Sequence, residues 1–463
     1  MELLDLCYDV LIRILQELEP QELARCSSCC RSFNTFIRGN RRLFRVLYLQ
    51  RFDDPRRHAA DAEPHWEKEL PILVKCQKIL QSDDFDAKIR HFDFLTSAVE
   101  SLLKTSSDSS RPSLNISFLS DLFKLQKNVD AFLCRSSLFS RAGTDRQTPA
   151  STEEQRQLSA KLHCHYGNPV DPVGRRSFST HPYARSYVYD LRNYTDKTEW
   201  GPFRMDGSLF VDWEMVETIM IVLAYNMRIF SERTGGRFKP VWEIPFDGVA
   251  NNSFSATYPL ALPEEPDIPL QARDPFNISG TWMRVVCFLD YNDLYAFNFA
   301  NSPVASDEPR IPLYTEEAIR LIIMKLKVTK IEAPGRFDNP SLPIVHFSGS
   351  SRSLDALWDP NANSRIKGRV RLTSEGEVRW TTVSIFYGGE ERWRSEGVQV
   401  GGIRSKRGVV GTWFDKDYDV HGPVGPTAFW KLSDRTKKVG SVDSDSGSEL
   451  EVEAESDSES DSS

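Results

Sequence analysis

The stretch IKGRVRLTSEGEVRWTTVSIFYGGEERWRSEGVQV, residues 366–400, decides the fold of the C-terminal half of the chain. Three segments in it, 366–372, 378–386 and 391–400, are rich in β-branched and aromatic residues, which favour strands. The residues between them, SEGE and YGGE, contain the Gly and charged side chains that are typical of hairpin loops. The stretch therefore predicts three consecutive antiparallel strands.

The strand pattern also occurs before this stretch, over 281–289, 319–331 and 344–347. Gly-Thr-Trp occurs at 280–282 and again at 411–413, and we interpret each as the start of a strand. In calycin-like barrels such a Trp fills the closed end and packs on an Arg, so we expect a structural role for both. A run of sequential hairpins this long favours a closed antiparallel barrel or a sandwich.

The N-terminal half has the apolar spacing of helices instead. Short helices are predicted before residue 50, and apolar stripes at i, i+3 and i+4 recur as far as residue 230. The predicted fold class is therefore α+β. We divide the chain into an N-terminal helical bundle (1–50), a helical linker region (51–157), a mixed α/β segment (158–275), a calycin-like antiparallel β-barrel (276–435) and an acidic Ser-rich tail, expected to be disordered (436–463).

The net charge of −8 comes from the tail. The last 23 residues contain nine Asp or Glu and no Lys or Arg, and the rest of the chain carries 58 basic and 57 acidic residues. A nearly neutral body lacks the concentrated positive field of a nucleic-acid-binding surface, so we expect no nucleic-acid partner. The longest apolar run, 219–224, is far too short to span a membrane, and we expect no membrane partner.

The eight cysteines are scattered, and four of them lie within the first thirty residues. The N-terminus has no basic segment of the kind that begins a secretory signal. We therefore expect reduced thiols and a cytoplasmic or nuclear location, or both. Cys26, Cys29 and Cys30 would share one helix face, and we interpret them as buried small apolar residues.

The triplet His163-Cys164-His165 is a candidate metal site or Cys–His nucleophile. No Cys-x-x-Cys pair completes a zinc set. We therefore expect no metal and no cofactor. A hydrolase that uses His163, Cys164 or His421 stays an alternative.

Residues 6–37, LCYDVLIRILQELEPQELARCSSCCRSFNTFI, resemble an F-box. The family pattern has an N-terminal Leu-Pro, an amphipathic helix that ends in Ile-Leu, a central Leu, and a helix that begins Val-Cys-Arg-x-aromatic. Leu6, Ile14-Leu15, Leu23 and residues 29–33 stand at these positions. Cys7 replaces the usual Pro, which weakens one anchor contact of the family.

Further motifs resemble filamentous-fungal F-box proteins. They are GPFRMDGSLFVDWEMVE from residue 201, the Gly-Thr-Trp at 280–282, and the stretch 390–431. The C-terminal half is similar to the β-barrel of the animal receptor F-box only protein 31. This resemblance implies a non-enzymatic substrate receptor of an SCF-type cullin-RING ubiquitin ligase. Its implied partners are the SCF adaptor protein, the cullin scaffold and protein substrates.

The N-terminal helices are expected to provide the adaptor-binding surface. A forty-residue helical unit has too little volume to bury all its apolar side chains, and an exposed apolar face is what helix-in-groove docking uses. The alternative is that this face packs on the following helices of the same chain. The predicted adaptor-binding residues are Leu6, Cys7, Val10, Leu11, Ile14, Leu15, Leu18, Leu23, Cys30 and Phe33.

Target binding is expected at the open end of the barrel, because the mouths of small barrels hold ligands. The resemblance implies recognition of chain ends, and an amide end needs both an acceptor and a donor. Each candidate also has an ordinary structural explanation, such as an Asx turn at Asp359. A small-ligand binding or sensing barrel, with purely structural N-terminal helices, stays open as a second function. The candidates are Arg352, Trp358, Asp359, Arg365, Asp417, Tyr418 and His421.

Overall fold

The computed structural model describes residues 6–57, 63–106, 112–143, 152–167, 175–235, 269–300, 304–305, 308–354 and 363–435. The predicted tail, 436–463, lies outside these ranges. Within the described part of the chain, no helix combines the length and the apolarity needed to cross a bilayer. The described residues form a helical N-terminal half and a closed C-terminal β-barrel, which confirms the predicted fold class.

Four short helices open the described chain. Pro20 begins the second of them, where its missing N–H costs nothing, and Glu19 and Glu22 form a capping box at the same end. The buried side chains of these helices belong to one apolar core, which continues through the middle helices to the outer face of the barrel. The helices are α1 (Tyr8–Leu15), α2 (Pro20–Cys29), α3 (Arg31–Arg38) and α4 (Arg41–Leu49).

The middle of the described chain is helical as well. The β character predicted for 158–275 is limited, in its described residues, to one isolated bridge between Phe203 and Val211. The longest helix, α13, is buried on most of its surface because it lies between α11, α12 and the barrel. The middle helices are α5 (Trp66–Gln81), α6 (Phe85–Arg90), α7 (Phe92–Lys104), α8 (Leu114–Phe123), α9 (Gln126–Asn128), α10 (Ser137–Arg141), α11 (Glu153–Tyr166), α12 (Arg175–Val188) and α13 (Trp213–Arg233).

Eight antiparallel strands form the barrel. Each strand pairs with its neighbours in the chain, and β1 pairs with β8 to close the ring. The six predicted strand segments correspond to β1–β6, and the two predicted hairpin loops join β4 to β5 and β5 to β6. The strands are β1 (Gly280–Phe288), β2 (Ala318–Glu332), β3 (Ile344–Ser353), β4 (Asn363–Leu372), β5 (Val378–Ile385), β6 (Glu391–Gln399), β7 (Val409–Asp415) and β8 (Val424–Ser433).

Aromatic side chains fill one end of the barrel. The ring of Trp282 lies 5.1 Å from that of Trp380 and 6.0 Å from that of Phe429, between centroids, and all three are buried. The structural role predicted for the first Gly-Thr-Trp motif is therefore confirmed. The second motif was interpreted wrongly, because it lies in the middle of β7 and its Trp413 faces the other end of the barrel.

Buried ion pairs join the helical half to the barrel. Glu317, just before β2, accepts hydrogen bonds from Arg185 of α12 at 2.8 Å and from the hydroxyl of Tyr189 at 2.6 Å. On the outer face of β5, Arg379 pairs with Glu199 of the helical half and, at 2.8 Å, with Glu396 of β6. Loss of one partner would leave an uncompensated buried charge, so these pairs hold the two halves in one arrangement.

The pairing of β2 and β3 requires a residue without a side chain at Gly349. A Cβ there would overlap the carbonyl oxygen of Lys325 on the neighbouring strand. We expect Gly349→Ala to lower the free energy of unfolding by about 1–3 kcal/mol, because the strands must separate to admit the methyl group. Urea unfolding would measure the change, with Ser350→Ala as the control on the same strand. Equal stability of the two variants would contradict the prediction.

Candidate functional sites

Helix α1 has one buried apolar face and one exposed apolar face. Leu11 and Leu15 lie in the core, and Leu15 is 1% exposed. Val10 and Ile14 lie one helical turn apart on the adjacent side of the helix, 41% and 39% exposed. The exposed Cys7, at the N-cap of the helix, continues this line at helical spacing. We call Cys7, Val10 and Ile14 the α1 stripe.

A cavity of about 430 Å³ lies inside the barrel, at the end opposite the aromatic layer. Barrels of eight strands have room for one small ligand when side chains do not fill them. The cavity opens beside Tyr291 and Arg320, which are both exposed. Its walls combine aromatic rings with hydroxyl groups, from Phe288, Phe386, Trp393, Trp413, Ser351, Ser364 and Ser384.

Arg284 of β1 lies at the floor of this cavity and is 5% exposed. Its Nε donates to Oγ1 of Thr427 at 3.0 Å, and its guanidinium carbon lies 5.9 Å from the ring centroid of Phe429. Burial lowers the pKa of Arg284 to about 10, so the side chain is still charged at neutral pH. Among the described carboxylates, none forms an ion pair with it. The cavity therefore contains a buried positive charge.

Three exposed aromatic residues stand beside the cavity mouth on helix α14 (Tyr291–Tyr295) and the turn after it. The ring of Tyr295 lies 6.4 Å from that of Tyr291 and 5.1 Å from that of Phe299. Phe299 in turn contacts His421 of the β7–β8 loop at 5.0 Å between ring centroids. We call Tyr291, Tyr295 and Phe299 the mouth ridge. It extends the apolar wall of the cavity onto the outer surface.

The match to a known domain lies at the N-terminus. Residues 3–45 match the F-box domain. F-box domains bind Skp1-type adaptors within SCF complexes that contain a cullin, so the match indicates an SCF-type substrate-adaptor role in general. Proteins with this domain are typically non-catalytic substrate receptors. No curated protein and no solved structure matches the chain, so the expected resemblance to fungal F-box proteins and to F-box only protein 31 has no support from a relative.

The predicted adaptor-binding residues are not all on the surface of the F-box. Leu11, Leu15 and Leu23 are buried, which corrects the expectation that the whole apolar face is left uncovered. The reason is that the F-box shares its core with the helices that follow, so the available volume is larger than that of forty residues. Of the other seven residues, four are exposed, namely Cys7, Val10, Ile14 and Cys30. The remaining three, Leu6, Leu18 and Phe33, are half-buried.

Tyr8 is a further exposed residue of the F-box that sequence reasoning missed. Its hydroxyl donates to Oδ1 of Asn40 at 3.1 Å, and its ring lies 5.7 Å from that of Phe36. It therefore stands in a fixed orientation next to the α1 stripe. The sequence signal was its place in the motif, next to Cys7 and two residues after Leu6.

The F-box cysteines are more exposed than predicted. Cys29 and Cys30 are exposed and Cys26 is half-buried, so the interpretation as buried apolar residues is wrong for the first two. The single helix that would have aligned them is interrupted, because α2 ends at Cys29. Cys30 caps α3 instead, and its sulfur accepts a hydrogen bond from the backbone N–H of Phe33 at 3.4 Å.

Two predicted target-binding residues, Arg352 on β3 and Arg365 on β4, do not face the cavity. They are exposed on the outer surface of the barrel, whereas their neighbours Ser351 and Ser364 line the cavity. Side chains alternate between the two faces of a strand, so a shift of one residue exchanges inside and outside. The prediction placed both arginines in the loop between two strands, whereas they lie on β3 and β4 and face outward.

The three predicted residues of the β7–β8 loop lie at the open end of the barrel but outside the cavity. Asp417 is exposed, and the ring of His421 contacts that of Phe299, the last residue of the mouth ridge. Tyr418 packs on Trp200 of the helical half, with 5.7 Å between ring centroids. The remaining two predicted residues, Trp358 and Asp359, lie outside the described residues.

The His163-Cys164-His165 triplet lies on helix α11 and not on a strand. His163 Nδ1 is 2.6 Å from Oε1 of Glu217. Cys164 is fully buried, and burial raises the pKa of its thiol well above the ordinary value, which does not favour a nucleophile. His421 lies on a different part of the chain, at the barrel mouth. No cluster of three or more metal-ligand residues occurs within the ranges described above.

Proposed function

We propose that this protein is the substrate-recognition subunit of an SCF-type cullin-RING ubiquitin ligase. In this proposal the F-box binds the adaptor through the α1 stripe, and the open end of the barrel binds the target protein. Ubiquitin transfer is carried out by partner subunits. SCF ligases act in the cytoplasm and the nucleus, and we propose the same location for this chain.

One observation carries the proposal. A single chain combines an F-box that has an uncovered apolar stripe with a barrel whose open end has a cavity and an exposed aromatic ridge. The stripe offers the adaptor an apolar contact about two helical turns long. Exposed Tyr and Phe side chains next to a concave site are typical of protein-binding surfaces, because they supply large contact areas at a low cost in entropy.

Affinity purification from cells, with and without a proteasome inhibitor, tests the proposal. The wild-type chain should recover the SCF adaptor, the cullin, and targets that accumulate when the proteasome is inhibited. Tyr295→Ser/Phe299→Ser should retain the adaptor and reduce target recovery by about tenfold or more, as expected for loss of two aromatic anchors. The control is Phe337→Ser, which removes an exposed ring from the β2–β3 connection at the opposite end of the barrel. Absence of the adaptor from the wild-type sample would contradict the proposal.

A small-ligand binding or sensing barrel is the second candidate. The observation in its favour is the cavity of about 430 Å³, which is closed at one end by the aromatic layer. Native mass spectrometry of the purified chain would distinguish the two. A bound small molecule together with failure to bind the adaptor would favour the second candidate over the first.

A further inference from the structure

The barrel cavity has a charge at its floor that no described residue of opposite charge neutralises. Arg185 and Arg379 are buried to a degree similar to that of Arg284, and each has a buried glutamate as its partner. Arg284 has instead one hydroxyl, that of Thr427, and lies near one aromatic ring. An unpaired buried charge is costly, and a protein can retain one where a ligand of opposite charge binds.

We propose that the cavity binds an organic carboxylate, with the Arg284 guanidinium holding the carboxylate and the aromatic walls holding an apolar body. The Nε of Arg284 is engaged with Thr427, which leaves its terminal nitrogens as donors to the cavity. A planar guanidinium matches the two oxygens of a carboxylate. The hydroxyls of Ser351 and Ser384 add donors on the wall.

The charges around the cavity agree with an anionic ligand. Among the described residues, the charged ones that line it are Arg284, Arg320, Arg392 and Asp290, which gives three positive charges and one negative charge. Arg320 and Arg392 also stack on aromatic rings of the wall, at 5.6 Å from Phe288 and 5.0 Å from Trp393 respectively. A cavity that opens between arginines attracts anions at its entrance, while the aromatic surface behind them suits an apolar body.

Two sources offer this chemistry, a free organic acid and the terminal carboxylate of a polypeptide. If the source is a polypeptide, the inference rests on the proposed function, because the carboxylate then belongs to the target. If the source is a small acid, the site is independent of the F-box. The volume of about 430 Å³ admits either a small acid or the last side chains of an extended chain end.

Calorimetry on the purified full chain tests the site with paired probes. Decanoate is compared with decanamide, and an acetylated hexapeptide that ends in Leu-Phe is compared as the free acid and as the amide. We expect at least one carboxylate probe to bind about tenfold or more tightly than its amide counterpart. The pair that shows this preference identifies the source. Equal binding of acid and amide, or no binding of either acid at millimolar concentration, would overturn the inference.

Variants of two arginines locate the binding. Arg284→Met keeps an unbranched side chain as far as the position of Nε and removes the charged group, and it should weaken carboxylate binding about tenfold or more. Arg365→Met, on the outer face of β4, is the matched control and should bind as the wild type does. If Arg284→Met fails to fold, Ser364→Phe, which fills the cavity from its wall, should abolish binding instead. Unchanged binding in a folded Arg284→Met or Ser364→Phe variant would contradict the site.

Adaptor binding by the same variants separates the two ideas. Arg284→Met should bind the SCF adaptor with unchanged affinity, because the barrel cavity is remote from α1. A wild-type chain that binds the carboxylate but not the adaptor would contradict the proposed function and leave the cavity site standing. Adaptor binding without any carboxylate preference would contradict the cavity site and leave the proposed function standing.

Discussion

The variant Val10→Asp/Ile14→Asp is expected to lose about 100-fold or more in affinity for the SCF adaptor protein while it keeps its fold. Both side chains are substantially exposed in the isolated chain, so their replacement should change the free energy of unfolding little. In the complex, two carboxylates would be buried against an apolar partner without a positive charge to pair with them, which opposes binding strongly. Titration calorimetry with the purified adaptor measures the affinity, and thermal unfolding checks the fold.

The matched control for this variant is Ile72→Asp/Leu125→Asp. Ile72 on α5 and Leu125 before α9 are exposed to the same extent as the α1 stripe, but they lie outside the F-box. The control should bind the adaptor as the wild type does. Substitution of Leu15 does not serve this test, because Leu15 is in the core and its replacement by Asp would unfold the helices. Full adaptor affinity in a folded Val10→Asp/Ile14→Asp variant would contradict the assignment of the α1 stripe.

The barrel was predictable from sequence where the strands carry their own pattern. The β4–β5 and β5–β6 hairpins have β-branched strands and Gly-containing loops, so local chemistry already specifies both strands and turn. β8 was not identified, and β7 was indicated only by the Gly-Thr-Trp at 411–413. Their places are determined by pairing with β6 and with β1 across the closure, which is a contact between residues far apart in the chain.

The candidate sites were less predictable than the fold. The strand pattern covered only 344–347 and 366–372, so Arg352 and Arg365 were predicted to lie in the loop between the two strands. Which side chains of the longer strands face the cavity depends on register, and Ser351 and Ser364 do so instead. The mouth ridge did have a sequence signal, since its aromatic residues recur every fourth position. The unpaired charge of Arg284 had no sequence signal, because it depends on which residues from other strands surround the side chain.

Glu317→Ala is expected to lower the free energy of unfolding by about 3–5 kcal/mol, because it removes one partner of a buried ion pair. The Glu317 carboxylate is fully buried and accepts hydrogen bonds from Arg185 and from Asn226, both at 2.8 Å, as well as from Tyr189. Its loss leaves the Arg185 guanidinium, 3% exposed, without an anion and with no access to water. Urea unfolding followed by tryptophan fluorescence and by far-UV circular dichroism measures the change.

Glu316→Ala provides the matched control for the buried pair. Glu316 is the preceding residue and also forms an ion pair at 2.8 Å, with Arg233, but its side chain is 79% exposed. Water already solvates both charges there, so the substitution should change the free energy of unfolding little. Comparison of the two variants separates the effect of burial from that of the ion pair itself. The residue type and the ion-pair distance are the same in both, and the two glutamates are neighbours in the chain. Since Glu317 joins α12 and α13 to the start of β2, both optical probes should shift together in Glu317→Ala. Similar stabilities of the two variants would show that this contact does not hold the helical half on the barrel.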